Sequence, residues 1–192
     1  MSACELALTL ETRTGRSPLA LTITQAVIAG WTGRDPVARD KHIAELEAIG
    51  IARPASTPIY YRVAARRLTT ATSIEVSGGD SSGEVEFVLL ASGGKAYVAV
   101  GSDHTDRKVE TYGVTVSKQM CDKPIAPVVW ALDDVIGHWD QIVLRSFATI
   151  GGARVLYQEG KLDGMLPVAD LIARGFGGSA LPDGCAMFGG TF

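Results

Sequence analysis

Glu84 and Glu86 flank a single valine at the head of an apolar run that continues to Leu90, and Asp103 stands just past the next apolar run, Tyr97 to Gly101. Side chains alternate faces along a β-strand, so the two glutamates would aim at one spot. Burying two carboxylates together is costly: each ion loses its water and repels the other unless a cation or a shared proton compensates. A hard divalent cation compensates best. With oxygen ligands and no cysteine nearby, Glu84, Glu86 and Asp103 suit Mg²⁺ or Mn²⁺, which keep several waters and so leave positions for a chelating substrate. The alternative is an edge strand with Glu84 and Glu86 in water, since antiparallel sheets commonly keep one solvated face.

The elements that must position these groups read as a hairpin. Ala91-Ser92-Gly93-Gly94-Lys95 separates the two runs, and its Gly-Gly pair supplies the positive φ of a tight turn. Adjacent pairing brings Asp103 near the start of the Glu84 strand. A third apolar stretch, Tyr112 to Val116, predicts another strand that delivers Ser117-Lys118-Gln119. Lys118 is then either a cation beside the carboxylates or an ordinary surface lysine. His104, between Asp103 and Asp106, reads as a general base or metal ligand, or as a histidine bonded to a neighbouring aspartate. Ser117 and Lys118 make no nucleophile pair on a strand, because adjacent residues face opposite ways. Cys121, near Lys118 and Lys123, is a minor nucleophile candidate, and His138-Trp139-Asp140 reads as packing. The glycine-rich Gly78 to Gly83 lacks a following Lys-Ser/Thr and leads into a strand, so it is no phosphate cradle.

In these residues the chain resembles the fumarylacetoacetate hydrolase-like superfamily, metal enzymes of 2-oxo and β-dicarbonyl acids. The resemblance runs over residues 58–192. It joins the Glu-x-Glu strand, Gly83-Glu84-Val85-Glu86-Phe87-Val88-Leu89-Leu90, to an Asp-x-Thr-x-Arg segment, Asp103-His104-Thr105-Asp106-Arg107. The family's lysine in a Ser/Ala-Lys setting ahead of a proline is matched by Ser117-Lys118 and Pro124, and its terminal Gly-Thr by Gly190-Thr191. The wording from Gly101 to Arg107 and from Ser117 to Cys121 is similar to a prokaryotic branch known as a domain of unknown function. The resemblance implies a mainly β (α+β) fold, a layered mixed β-sandwich or roll with a few short helices, like the fumarylacetoacetase C-terminal domain. It also implies a small oxo-acid substrate chelating Mg²⁺ or Mn²⁺ on Glu84, Glu86 and Asp103. Lys118 would face the developing oxyanion or shuttle a proton, with a pKa lowered by the metal. Arg107, Gln119, Thr191 and Arg62 would contact substrate, and a homodimer is expected.

Two departures shape the reading. Family hydrolases carry an upstream Asn-Tyr-x-x-His whose histidine helps activate water, and the corresponding stretch, Ile59-Tyr60-Tyr61-Arg62-Val63-Ala64, has none. That favours a lyase, hydratase or decarboxylase working through a metal-stabilised enolate over a carbon-carbon bond hydrolase, in which His104 or a metal-bound water would stand in. A non-catalytic metabolite-binding or assembly relative is the third reading. Relatives also continue beyond Gly-Thr, whereas this sequence stops at Phe192, so its last strands are expected to be missing and a sheet edge or apolar patch exposed there.

Composition sets outer bounds. The 192 residues are 46% hydrophobic and 20% charged, enough for one substantial core. A net charge of −3 argues against general nucleic-acid binding, which needs clustered cations. The single basic cluster, Arg62 with Arg66 and Arg67, is either a solvated face or a dock for substrate carboxylates. Three widely spaced cysteines suit a reducing cytoplasm, and neither a signal peptide nor an apolar span is expected. Early strands are predicted at Glu5 to Leu10 and at Ile74 to Val76, and Leu19 to Ala29 is open between strand and helix. A helix opens at Asp35-Pro36, carries Ile43, Leu46 and Ile49 at helical spacing, and ends at Gly50. Asp133-Asp134 would cap a short helix, Gly151-Gly152 would turn a second hairpin, and Pro167 to Ala173 would be helical. Pro54 and Pro58 mark a linker, dividing an N-terminal lobe, 1–57, from a metal-binding β core, 58–192.

Overall fold

The computed structural model describes residues 3–48, 50 and 53–192. In chain order the strands are β1 (Cys4–Thr12), β2 (Gly15–Ile23), β3 (Gln25–Gly30), β4 (Ile59–Val63), β5 (Leu68–Thr69), β6 (Ser81–Ser82), β7 (Val85–Ser92), β8 (Lys95–Ser102), β9 (Thr105–Asp106), β10 (Lys123–Pro124), β11 (Val128–Ala131), β12 (Val143–Ile150), β13 (Ala153–Lys161) and β14 (Cys185–Phe188). The helices are α1 (Pro36–Ala48), α2 (Arg107–Glu110), α3 (Val114–Met120), α4 (Leu132–Val135) and α5 (Val168–Phe176).

Eight strands make one mixed sheet in the order β2-β1-β11-β8-β7-β14-β3-β4. Its two faces follow from the two-residue period. On one face Val88 and Leu90 of β7 join Ala186 and Phe188 of β14, Ile28 of β3, Leu6 and Leu8 of β1 and Val63 of β4 in a single cluster. That cluster draws on all eight strands, from one sheet edge to the other, so the sheet curls around it as a roll. On the other face Phe87, Leu89, Val27 and Met187 pack beneath Leu171 and Ile172 of α5, with Trp139 and Leu162. The layered, mainly β architecture expected from the resemblance is the one found.

Several local expectations change. The boundary proposed at residue 57 runs through the sheet, because β1 and β3 pair with strands from beyond it: β3 with β14 and β4, and β1 with β11. Leu19 to Ala29 resolves into strand throughout, interrupted at Thr24. Ile74 to Val76 is irregular rather than a strand. Tyr112 to Val116 is not a strand either. Asp106 accepts from the amides of Lys108 and Val109, this cap starts α2, and α3 follows at once, leaving Tyr112 and Val116 exposed. β14 is no edge: it lies between β7 and β3, and Ala186, Met187 and Phe188 are fully buried. Asp35 caps α1 through the Val37 amide, while Ile49 lies outside the described residues. Asp133 and Asp134 sit inside the first turn of α4 instead of capping it. No helix among the described residues is long and apolar enough to cross a membrane.

Candidate metal centre

The β7–β8 ladder positions the acids. Val85 faces Ser102 and Glu86 faces Gly101, and beyond the last registered pair the Asp103 amide donates to Glu84 O at 2.9 Å. Directly opposed residues of an antiparallel pair share a face, so Glu84, Glu86 and Asp103 all point to the concave side of the roll, at its mouth. The three offer carboxylate oxygens within 4.8 Å of one another. Glu84 stands one residue before β7, and Glu86 and Asp103 are buried. Gly101, opposite Glu86, has no room for a side chain: a Cβ there would meet the Val88 side chain at 2.7 Å, Pro124 O at 2.9 Å and the Phe188 ring at 3.0 Å.

Lys118 reaches this cluster from α3, not from a strand. Its Nζ bonds Asp103 Oδ2 and lies 3.4 Å from both Glu84 Oε2 and Thr105 Oγ1, with the Tyr61 ring 5.9 Å away. Burial pushes the ammonium down, but the surrounding Asp103 and Glu84 carboxylates outweigh it and hold Lys118 above the usual lysine range. Among these carboxylates Lys118 is a held cation; the lowering expected from the sequence is the effect of the metal's own charge. On the far side of Asp103 a second lysine, Lys123 of β10, is wholly buried, with Nζ 3.2 Å from Oδ1 and bonded to His104 O. Its burial lowers its pKa, against the pull of Asp103.

The acids fit a hard cation. Glu86 is driven well above the usual carboxyl range by burial and then by the negative charges of Asp103 and Glu84, the repulsion a divalent ion relieves. Asp103 Oδ1 is also left without a hydrogen-bond partner, its lysine contact being off-line. The donor set is oxygen only, the preference of Mg²⁺ and Mn²⁺.

The cluster opens on a cavity of about 580 Å³, whose lining includes Arg107, Thr191, Tyr61, Trp31, His42 and Phe192. Arg107 bridges Glu84 at 2.9 Å and Glu110 at 3.2 Å, and its Nε donates to Ser82 Oγ. Thr191 lines the wall. The other predicted contacts lie elsewhere: Gln119 accepts the Ala64 amide at 2.7 Å, Arg62 is exposed on β4, and the His104 ring, outside the cavity lining, neighbours Ser102 Oγ at 3.4 Å. Sequence reasoning missed Lys123 and His42. The signal for His42 was present, because Ala38, His42 and Leu46 repeat every four residues along α1 and all line the cavity.

Comparison with known proteins agrees with this fold. The fold is similar to that of 2-keto-3-deoxyarabinonate dehydratase, with a TM-score of 0.66, 15% identity, and coverage of 88% of this chain and 64% of that one. A 2-keto-3-deoxy-D-arabinonate dehydratase complexed with magnesium and 2,5-dioxopentanoate aligns at TM-score 0.60 and 18% identity, over 88% of this chain and 62% of that one. A putative uncharacterized protein from Mycobacterium abscessus aligns over 100% of this chain and 88% of its own, at TM-score 0.59 and 14% identity. The chain thus spans less than two thirds of the dehydratases it resembles. No curated protein matches the sequence. Residues 29–192 do match one family, and on that match the chain belongs to the family described as protein of unknown function DUF2848.

Proposed function

We propose that this chain is a divalent-metal-dependent lyase of the dehydratase, hydratase or decarboxylase type, acting on a small 2-oxo or β-dicarbonyl carboxylic acid. One observation carries the reading: three carboxylates converge within 4.8 Å at the mouth of the roll, two of them buried, beside a buried lysine and an open cavity. Glu84, Glu86 and Asp103 would hold Mg²⁺ or Mn²⁺, which when bound supplies Lewis-acid polarisation of the oxo group and charge stabilisation for enolate chemistry. The chain's own groups do the rest. Lys118, kept protonated by its carboxylates, donates a hydrogen bond to the oxygen on which charge develops. Arg107, fixed by Glu84 and Glu110, presents a guanidinium to the substrate carboxylate. Trp31, Leu46 and Phe192 give the cavity apolar walls that limit water. The Mg²⁺ and dioxopentanoate of the similar dehydratase support this substrate class.

Hydrolysis of a carbon-carbon bond is the second reading, and His42 favours it. No histidine is present at 59–64, but α1 places His42 on the cavity wall, with Glu45 3.5 Å from its Nδ1. An imidazole on the cavity wall is a general base for a water bound there. A reducing cytoplasmic setting and a homodimer complete the proposal. The apolar β12–β13 hairpin supports the dimer, since Phe147, Ile150, Leu156 and Tyr157 are exposed on it. Titrating Mg²⁺ and Mn²⁺ into wild type, Glu84→Gln and Glu86→Gln by calorimetry, beside a panel of oxo acids, tests the centre. Wild type should bind and both variants bind at least tenfold more weakly; equal binding by all three removes the assignment. His42→Ala turning over every accepted substrate at the wild-type rate removes the hydrolytic reading.

A further inference from the structure

Val85, the residue between the two glutamates, has lost its strand partner on one side. β14 follows β7 as far as Phe188 opposite Val88, Gly189 N donates to Phe87 O at 3.0 Å, and then Gly190, at φ +93°, turns the chain away. The Gly190 amide goes to Glu86 Oε2 instead, at 2.7 Å. Side chains fill the ladder positions that β14 vacates. Val85 N donates to Gln158 Oε1 at 2.8 Å, Gln158 Nε2 donates to Thr191 Oγ1 at 2.8 Å, and Thr191 Oγ1 donates to Val85 O at 3.1 Å. These three bonds close a ring on a single residue of β7.

Gln158 reaches the ring through an irregularity in its own hairpin. Ser146 pairs with Gln158 but Phe147 pairs with Leu156, so Tyr157 is an extra residue in β13. A β-bulge bends its strand and re-aims nearby side chains. Ser146 Oγ adds a hydrogen bond to Gln158 Oε1 at 3.3 Å.

We propose that Gln158 is a positioning residue: by holding the backbone of Val85 it sets the spacing and direction of the Glu84 and Glu86 carboxylates on either side. The proposal rests on reading Glu84, Glu86 and Asp103 as cation ligands. Rotation of either peptide of Val85 swings a neighbouring glutamate, so the ring acts on both acids without touching them. It also commits the Thr191 hydroxyl proton to Val85 O, so Thr191 offers a substrate oxygen something other than that proton.

Gln158→Met keeps the side-chain length and removes its two ring hydrogen bonds, together with the one from Ser146. Amide hydrogen exchange should quicken about tenfold at Val85, the effect of one net hydrogen bond, and stay unchanged at Leu89. Mn²⁺ affinity, read by electron paramagnetic resonance, should fall about tenfold, as for outer partners of metal ligands. Thr191→Val, which opens the ring from its other side, should reproduce both changes, and Thr191→Ser should restore them; this pair serves if Gln158→Met does not fold. Wild-type exchange at Val85, or wild-type Mn²⁺ affinity, in the ring-breaking variants overturns the proposal. Failure of the wild type itself to bind Mn²⁺ overturns the metal reading, and the positioning role then stands or falls on the Val85 exchange alone.

Discussion

Two hairpins in this molecule turn through the same dipeptide and meet different fates. Gly93-Gly94 joins β7 to β8 and Gly151-Gly152 joins β12 to β13, all four glycines at positive φ. The first pair of strands is flanked by β14 and β11, and β7 is buried from Val85 to Ala91. Among the described residues the second pairs with no further strand, and large apolar side chains stay exposed along it. The first ladder is unbroken; the second carries a bulge. Turn chemistry makes a hairpin in both places, and neighbours decide its use. Covered on both sides, a hairpin is a rigid mount for groups that must not move. Uncovered, it is free to bend a side chain toward the site and to offer a surface to another chain.

The comparison can be broken hardest at Lys118. Lys118→Met leaves the β7–β8 carboxylates in place, so turnover of an accepted oxo acid should fall about ten- to a thousandfold while metal affinity persists. Wild-type turnover would reduce Lys118 to a structural cation. Stability should separate the two hairpins next. Leu89→Ala, at a fully buried β7 position, should cost about 2–5 kcal/mol in denaturant unfolding. Leu156→Ala, on the open hairpin and 54% exposed, should stay within about 0.5 kcal/mol in the monomer. Equal losses would mean that β12–β13 is covered as fully as β7.

A pH series sharpens the electrostatic side. Because Glu86 is raised above the ordinary 4.5 in the folded protein, its protonated form is the one folding favours. The associated stability is present at low pH and is lost as pH climbs above 4.5 through the raised value. In chelator, melting of the wild type should therefore fall relative to Glu86→Gln across that rise, and added Mg²⁺ should restore more at higher pH. Parallel curves would show that Glu86 is not the strained group. The smallest effect on folding is expected from Phe147→Asp, which should shift a homodimer to monomer in light scattering with little change in melting. An unchanged mass would remove the dimer surface.

Much of the acid cluster was legible before any coordinates. A two-residue turn sets register, so with Ser92 opposite Lys95, eight residues back and eight forward stand Glu84 and Asp103, and period two adds Glu86. Lys118 was legible as a residue but not as a helical one. Its apolar neighbours Tyr112 and Val116 resemble a strand, yet the Asp106 cap and the pull of the carboxylates on Lys118 prevail over β propensity. Lys123, Gln158 and the place of β14 were not legible. Each depends on contacts between segments far apart in sequence, such as Gln158 with Val85, or β14 with β3, for which local spacing carries no signal.

The turn at Gly93-Gly94 carries one more consequence, for how this chain tolerates change. The loop is solvent-facing and distant from the acids, where substitutions and length changes are ordinarily both accepted. Identity there is negotiable among residues that bear a positive φ, but length is not. Adding or deleting one residue would slide β8 past β7, carry Asp103 to the opposite face of the sheet and separate it from Glu84, dismantling the site with every one of its side chains intact. A library varying that loop should therefore retain cation binding in nearly all substituted members and lose it in the single-residue insertions and deletions.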